Sequence, residues 1–360
     1  MLARSHSGII FLGANADACC LWREYFPHLN MPGSGFACFT EKPKFERILS
    51  YDVAVVQRCC TKAQLEFIDM MKRCGLKVVY DLDDQIWKLP KYNPAYAVLH
   101  QHREGFTACI QYVDLVTVST PKLARAVRSH VKDLHNKMTG KEIPVVVVEN
   151  RIDQRVFAQP QFAEKTIVGW AGSSSHIGDL PIISAAIKEL ANEHPEVLFE
   201  FRGCNPSAEA ANADMPQTEK DALLALHDLS NFRHVLWSPV AEYNARMPLW
   251  GWCLALAPVQ DEVFNEAKSN IKMIEAGYCG IPCLASWVDP YESFVRHDKE
   301  LEYLLCAGPS SWLRKIRELI NDVARREYLG KRMKAVVDQY YTWDRPHEGW
   351  QKALEIINTL

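Results

Sequence analysis

The sequence predicts an α/β protein made of two Rossmann-like halves, each a parallel sheet with helices on both faces, enclosing a cleft between them. Three observations carry this. Short apolar runs alternate with amphipathic helical ones from residue 8 to about 162, and such alternation builds a parallel sheet covered on both sides. The pattern pauses over 159–164, where proline and polar residues gather, and then restarts. At 360 residues the chain is long enough for two domains of ordinary size.

In the first half, strands are expected over 8–12, 53–57, 76–80, 115–119 and 145–149, with helices over 62–73 and 121–137. Residues 8–12 are too short an apolar run for a signal segment and read as the first strand. Sheets of this type bind ligands beyond the C-terminal ends of their strands. Those ends carry Gly13-Ala14-Asn15, Gln57-Arg58, Asp81-Leu82-Asp83-Asp84, Ser119-Thr120 and Glu149-Asn150-Arg151. The acidic run has three open uses: a divalent-metal site, an acid cluster that binds or catalyses, or a capped turn. On the helix expected over 121–137, Lys122, Arg125, Arg128 and Lys132 share one arc, opposite Leu123, Val127, Val131 and Leu134. That basic arc is either a solvated face or a face for an anionic polymer or surface.

The second half is expected to place strands over 166–170, 197–201, 234–237, 254–258 and 281–285. Helices are expected over 179–192, 220–229, 241–249 and 270–278, with a last one over 346–358. The turn from Gly169 to Asp179 is rich in small residues that let a backbone close around a ligand. It offers Gly172, Ser173 and, as a hydrogen-bond donor, His176; the next strand ends at Arg202.

The stretch over 254–286 holds the most specific chemistry. It reads as a strand, a loop over 259–267, a helix N-capped by Ser269, and a strand after the stop at Gly280 and Pro282. A strand that delivers the chain to a helix N-terminus makes an anion site, since free N–H groups and the helix dipole converge there. Lys268 stands just before that terminus, with Ser269, Asn270 and Ile271 at it. Glu275 follows five residues later, about 7 Å along the helix axis, the separation between a diphosphate and the ribose hydroxyls of one nucleotide.

Phe264-Asn265, the run from Ala267 to Lys272, Glu275-Ala276-Gly277 and Gly280-Ile281-Pro282 resemble the donor site of retaining glycosyltransferases of family 4, which have the GT-B fold. In that family two glutamates separated by seven residues mark the site. Glu275 matches the second; Ala267 stands where the first would be, leaving Glu266 or Lys268 to substitute. The acidic run, with Tyr80 before it and Trp87, Pro90, Asn93 and Pro94 after it, resembles the YDxDD segment of bacterial and phage family-4-like enzymes, which disfavours the metal. The resemblance implies sugar transfer from a nucleotide diphosphate sugar, a UDP-sugar, to an acceptor hydroxyl, with retention, no metal and no cofactor.

It further implies an acceptor-binding domain over 1–163, a nucleotide-sugar-binding domain over 164–338, and a C-terminal helix over 339–360 that packs back on the first. On this reading Asp83, Asp84 and His176 are catalytic. Gly172, Ser173, Arg202, Lys268, Ser269, Asn270, Ile271 and Glu275 bind the donor. Asn15, Arg58, Asp81, Arg125 and Arg128 bind the acceptor, a glycan or lipid-linked glycan, or a hydroxymethylated DNA base in an enzyme of phage type. A nucleotide-sugar-binding protein without catalysis, and a sugar-nucleotide epimerase on the same fold, are the alternatives.

Composition narrows the rest. With 48% hydrophobic and 24% charged residues and a net charge of −3, the chain reads as globular and not as a generally basic nucleic-acid binder. Twelve cysteines without framework spacing suggest buried thiols in a cytoplasmic protein, peripheral to a membrane if the acceptor is lipid-linked. The spacing contains no zinc motif and no membrane span. The ten tryptophans are expected partly in the core and partly along the cleft.

Overall fold

The computed structural model describes residues 8–360 apart from 132 and 162. Among the described residues the strands form two parallel sheets of six. The first runs β2-β1-β3-β4-β5-β6, from β1 (Ile9–Gly13), β2 (Gly35–Cys38), β3 (Val53–Gln57), β4 (Lys77–Leu82), β5 (Leu115–Val118) and β6 (Val145–Val147). The second runs β12-β11-β10-β7-β8-β9, from β7 (Ile167–Gly172), β8 (Leu198–Gly203), β9 (Phe232–Val235), β10 (Leu254–Ala257), β11 (Cys283–Ser286) and β12 (Leu305–Cys306). Strand order reverses between β1 and β3 in one sheet and between β7 and β10 in the other. Such switch points leave a crevice at the strand ends, and both crevices face the cleft.

Local signals account for many of the boundaries. Helix Lys62–Arg73 begins where expected because Thr61 and Gln64 form a capping box. Helix Pro121–His130 starts from a Thr120 cap with proline in its first turn, but it stops short of residue 137. Beyond it Asn136 bonds Val113 O at 2.7 Å and accepts from Met138 and Thr139, so the chain turns instead of continuing. The basic arc is thereby cut, and Lys132 lies outside the described residues. The helix expected over 270–278 is Ile271–Tyr278, and its N-cap is Asn270 rather than Ser269. The loop expected over 259–267 contains a short helix, Val263–Glu266.

Helix Val323–Tyr340 seats helix Ile271–Tyr278 by close backbone approach. A Cβ on Gly330 would stand 1.9 Å from Gly280 O, and one on Gly277 would stand 2.8 Å from Val337 Cγ2, so side chains there would push the helices apart. The chain then crosses back, pairing Ile152 with Thr342 and bonding Trp343 Nε1 to Arg151 O at 3.1 Å. Helix Glu348–Thr359 lays Trp350, Ala353 and Ile357 on Phe11, Val55 and Val79 of the first sheet. Among the described residues the cysteines are free thiols.

Candidate active site

A cleft of about 250 Å³ opens between the halves. Its second-half wall is built from sequence-local elements. β7 ends at Gly172, whose turn presents Ser173 and Ser175, and β10 leads to Lys268, Ser269 and helix Ile271–Tyr278. No side chain caps the first turn of that helix, because Asn270 points away and donates to Tyr341 Oη at 3.0 Å. The N–H groups of Ile271 and Lys272 therefore stay available to an anion. Lys268 and Lys272 both line the cleft. Lys272 donates to Ala171 O, and burial lowers its ammonium pKa despite the pull of Glu275.

Glu275 lies on the same helix face as Lys272, at i, i+3. It is only 7% exposed and accepts from Tyr243 Oη at 3.1 Å. Burial pushes its carboxyl up to about 7, against the lowering influence of Lys272 and Tyr243.

His176 is expected from sequence to donate to a ligand; in the structure one of its ring nitrogens is engaged by a carboxylate. Its Nδ1 lies 2.8 Å from Asp179 Oδ2. Asp179 Oδ1 meanwhile accepts from Gln260 N (2.8 Å) and Asn265 Nδ2 (3.4 Å). Burial, with Lys268 and Lys272 nearby, drives the imidazole down to about 3. A neutral ring whose Nδ1–H faces a carboxylate presents Nε2 as an acceptor. It suits a hydroxyl, not a phosphate.

The first-half wall holds Asp83 and Asp84, at the end of β4. Asp83 Oδ1 pairs with Arg58 Nε at 3.1 Å, an ion pair without hydrogen-bond alignment. Asp84 is half-buried, and burial followed by the charge of Asp83 raises its carboxyl to about 6. Asp81 does not reach the cleft. It is fully buried, gripped by Arg23 Nε (2.9 Å) and Nη2 (2.6 Å) and by Thr117 Oγ1 (2.7 Å).

Other expected residues also lie elsewhere. Arg202 pairs with Glu200 Oε1 at 2.5 Å and covers the Trp250 ring at 4.6 Å, so its charge is spent inside its own domain. Arg58 is a second-rank neighbour, holding Asp17 and Asp83. Asn15 is exposed and outside the cleft lining, as are Arg125 and Arg128. Arg128 bonds Val145 O at 2.8 Å. At the position of the missing glutamate, Ala267 is packed into the first-half core, and Glu266 bonds Lys122 across the halves at 2.7 Å. Of the two possible substitutes, only Lys268 lines the cleft.

Arg23, Tyr243 and Trp237 line the cleft without having been singled out from the sequence, and so do Asn150 and Lys272, which stand in the stretches that were singled out but had been given no role. Lys272 was findable, one turn after Lys268 and on the face of Glu275. Arg23 was not, since the π-helical turn Leu21–Tyr25 that aims it is invisible in a pattern. Arg23 Nη1 donates to Asn150 Oδ1 (3.0 Å), and Asn150 Nδ2 to Ser269 Oγ (3.0 Å), joining the two walls.

Known structures share the fold. A sucrose-phosphate synthase from Thermosynechococcus elongatus superposes with a TM-score of 0.66 at 13% identity, over 98% of this chain and 100% of that one. HepE from Anabaena, in complex with UDP-glucose, gives 0.64 at 14% identity over 99% and 100%. The fold is GT-B. The pneumococcal O-GlcNAc transferase GtfA, in complex with UDP and GlcNAc, matches at 0.55 and 13% identity over 85% of this chain and 57% of that one. No protein-family model and no curated protein sequence matches the chain. The cleft is the crevice between the two halves of the GT-B fold. Among the described residues no helix is long and apolar enough to cross a membrane.

Proposed function

We propose that this GT-B protein is a metal-independent glycosyltransferase that moves a sugar from a UDP-sugar to an acceptor hydroxyl. The observation that carries the reading is the meeting, in one cleft, of an uncapped helix N-terminus, Lys268 and Lys272 with a buried Glu275 on one wall and Asp83 and Asp84 on the other. The helix terminus and the two ammonium groups are suited to a diphosphate, and they supply the electrostatic stabilisation that a departing nucleoside diphosphate needs. Glu275 would take the ribose diol and His176 Nε2 a sugar hydroxyl.

Asp84 would accept or position the acceptor hydroxyl, which enters from the first-half side. Retention of configuration follows from the family-4 resemblance. The choice of UDP is supported by the same resemblance and by the UDP-glucose and UDP in the HepE and GtfA complexes. A hydroxymethylated base in DNA and a lipid-linked glycan both remain acceptors of suitable chemistry, the exposed Arg125 and Arg128 being the groups that would meet their phosphates.

The test is transfer of labelled sugar from UDP-sugars to both acceptor classes, with and without EDTA, and NMR of the product anomer. Transfer that survives EDTA and retains configuration is expected. Activity lost on chelation and restored by Mn²⁺ would overturn the metal-independent mechanism, and an inverted product would overturn retention.

A further inference from the structure

Trp237 differs from the other tryptophans of its domain in being both exposed and on the cleft, since Trp287 is 44% exposed but does not line it. Trp170 and Trp312 are fully buried, and Trp250 and Trp252 pack on each other with centroids 4.8 Å apart. Trp237 is 50% exposed, follows the 77%-exposed Leu236, and lines the cleft. Among the described residues nothing hydrogen-bonds its indole and no other ring stacks on it. Its position is nonetheless set by the backbone. Gly203 has φ +98°, and a Cβ there would stand 3.1 Å from Trp237 Cε2 and Cζ2, so the indole rests on bare main chain. Trp22 also lines the cleft, but it is 3% exposed and packs edge-on against Phe26, leaving no free face.

The sheet order places this ring at a particular distance from the anion site. The phosphate-suited turn and helix follow β7 and β10, the central pair of the second sheet, whereas Trp237 follows β9 at its edge. Two strand spacings separate β7 from β9, roughly 10 Å. Tyr243, from the helix Val240–Arg246 that begins just after Trp237, bonds Glu275 and lines the same cleft. A nucleotide runs from phosphate through ribose to base, so with its diphosphate at Lys268 and Lys272 and its ribose at Glu275, its base arrives beside Trp237.

We infer that Trp237 is the platform on which the donor's nucleobase stacks, and so a residue that sets affinity for the nucleoside part of the donor. This rests on the donor reading above. Stacking is tolerant of base identity because every base has a π-face, so the ring adds affinity and leaves hydrogen-bonding edges to choose among bases.

The experiment is calorimetry and tryptophan-fluorescence titration of the full chain with UDP, and with pyrophosphate as a ligand that has no base. Trp237→Ala should weaken UDP binding by about 5- to 150-fold, the range of one base stacked on one aromatic ring, and leave pyrophosphate binding unchanged. Trp237→Phe should retain most of the UDP affinity, and UDP should quench wild-type fluorescence more than that of Trp237→Phe. Wild-type binding of UDP with undiminished affinity in Trp237→Ala would overturn the platform while leaving the donor site standing. Failure of the wild type to bind UDP, GDP and ADP alike would overturn both.

Discussion

Replacing Glu275 with glutamine separates what this carboxylate costs the fold from what it does for a ligand. The group is 7% exposed, and burial raises its pKa from the ordinary 4.5 to about 7. Below pH 4.5 it is protonated in both the folded and unfolded chain, and its burial carries no charge penalty. Between pH 4.5 and 7 the unfolded chain ionises first, so the folded state binds more protons and stability falls as pH rises. Above pH 7 the folded chain bears the full penalty, which at 1.36 kcal/mol per pH unit comes to about 3 kcal/mol.

Glu275→Gln keeps an acceptor for Tyr243 Oη and removes the charge. The variant should match wild type at pH 4 and exceed it by up to about 3 kcal/mol at pH 8, measured by urea unfolding at both values. It should also lose roughly 1–3 kcal/mol of UDP affinity, the scale of hydrogen bonds to a charged group. Because a ribose diol favours the ionised carboxylate, wild-type affinity should climb more steeply from pH 5 to 8 than that of the variant, which keeps only the rise from ionisation of the terminal phosphate of UDP. A variant with unchanged UDP affinity and the same pH profile would remove Glu275 from the ligand site. A stability difference that does not change with pH would refute the buried-charge account.

Three further outcomes follow from the same geometry. Asp84→Asn should leave UDP binding intact and lower kcat by about 100-fold or more, as for loss of a general base; in wild type the activity should fall as pH drops through about 6, where this raised carboxyl protonates. Lys268→Ala and Lys272→Ala should each weaken UDP by about tenfold, the scale of a charge-assisted bond, without affecting uridine, and calorimetry with both ligands distinguishes a phosphate role from a packing one. Reversal of Arg125 and Arg128 to glutamate should reduce transfer to an anionic acceptor and flatten its salt dependence; an unaltered salt slope would put the acceptor on another face.

The basic arc shows where reading a sequence reaches its limit. Its spacing is real over Lys122 to Arg128, but a helix continues only while nothing better competes, and the Asn136 side chain supplies a competing turn. Lys122 then spends its charge on Glu266, 144 positions away in sequence (266 against 122). Arg202 is a case of another kind, since its pairing was legible: Glu200 and Arg202 alternate onto one face of a strand, where they pair.

By itself the sequence determined the alternation of strands and helices, the restart that makes two domains, and the stretch over 254–286 with its helix terminus, Lys268 and Glu275. Those features depend on apolar period, capping residues and spacing along one helix, all of which act within a few residues. Apart from such local pairs as Glu200 and Arg202, tertiary structure decided which charges remain free. It tied Asp81 to Arg23 across 58 positions, set the His176 ring against Asp179, and left Trp237 unstacked at the sheet edge. A side chain's partner is set by which strands lie side by side and how closely helices approach, and a pairing between distant segments leaves no periodicity in either one.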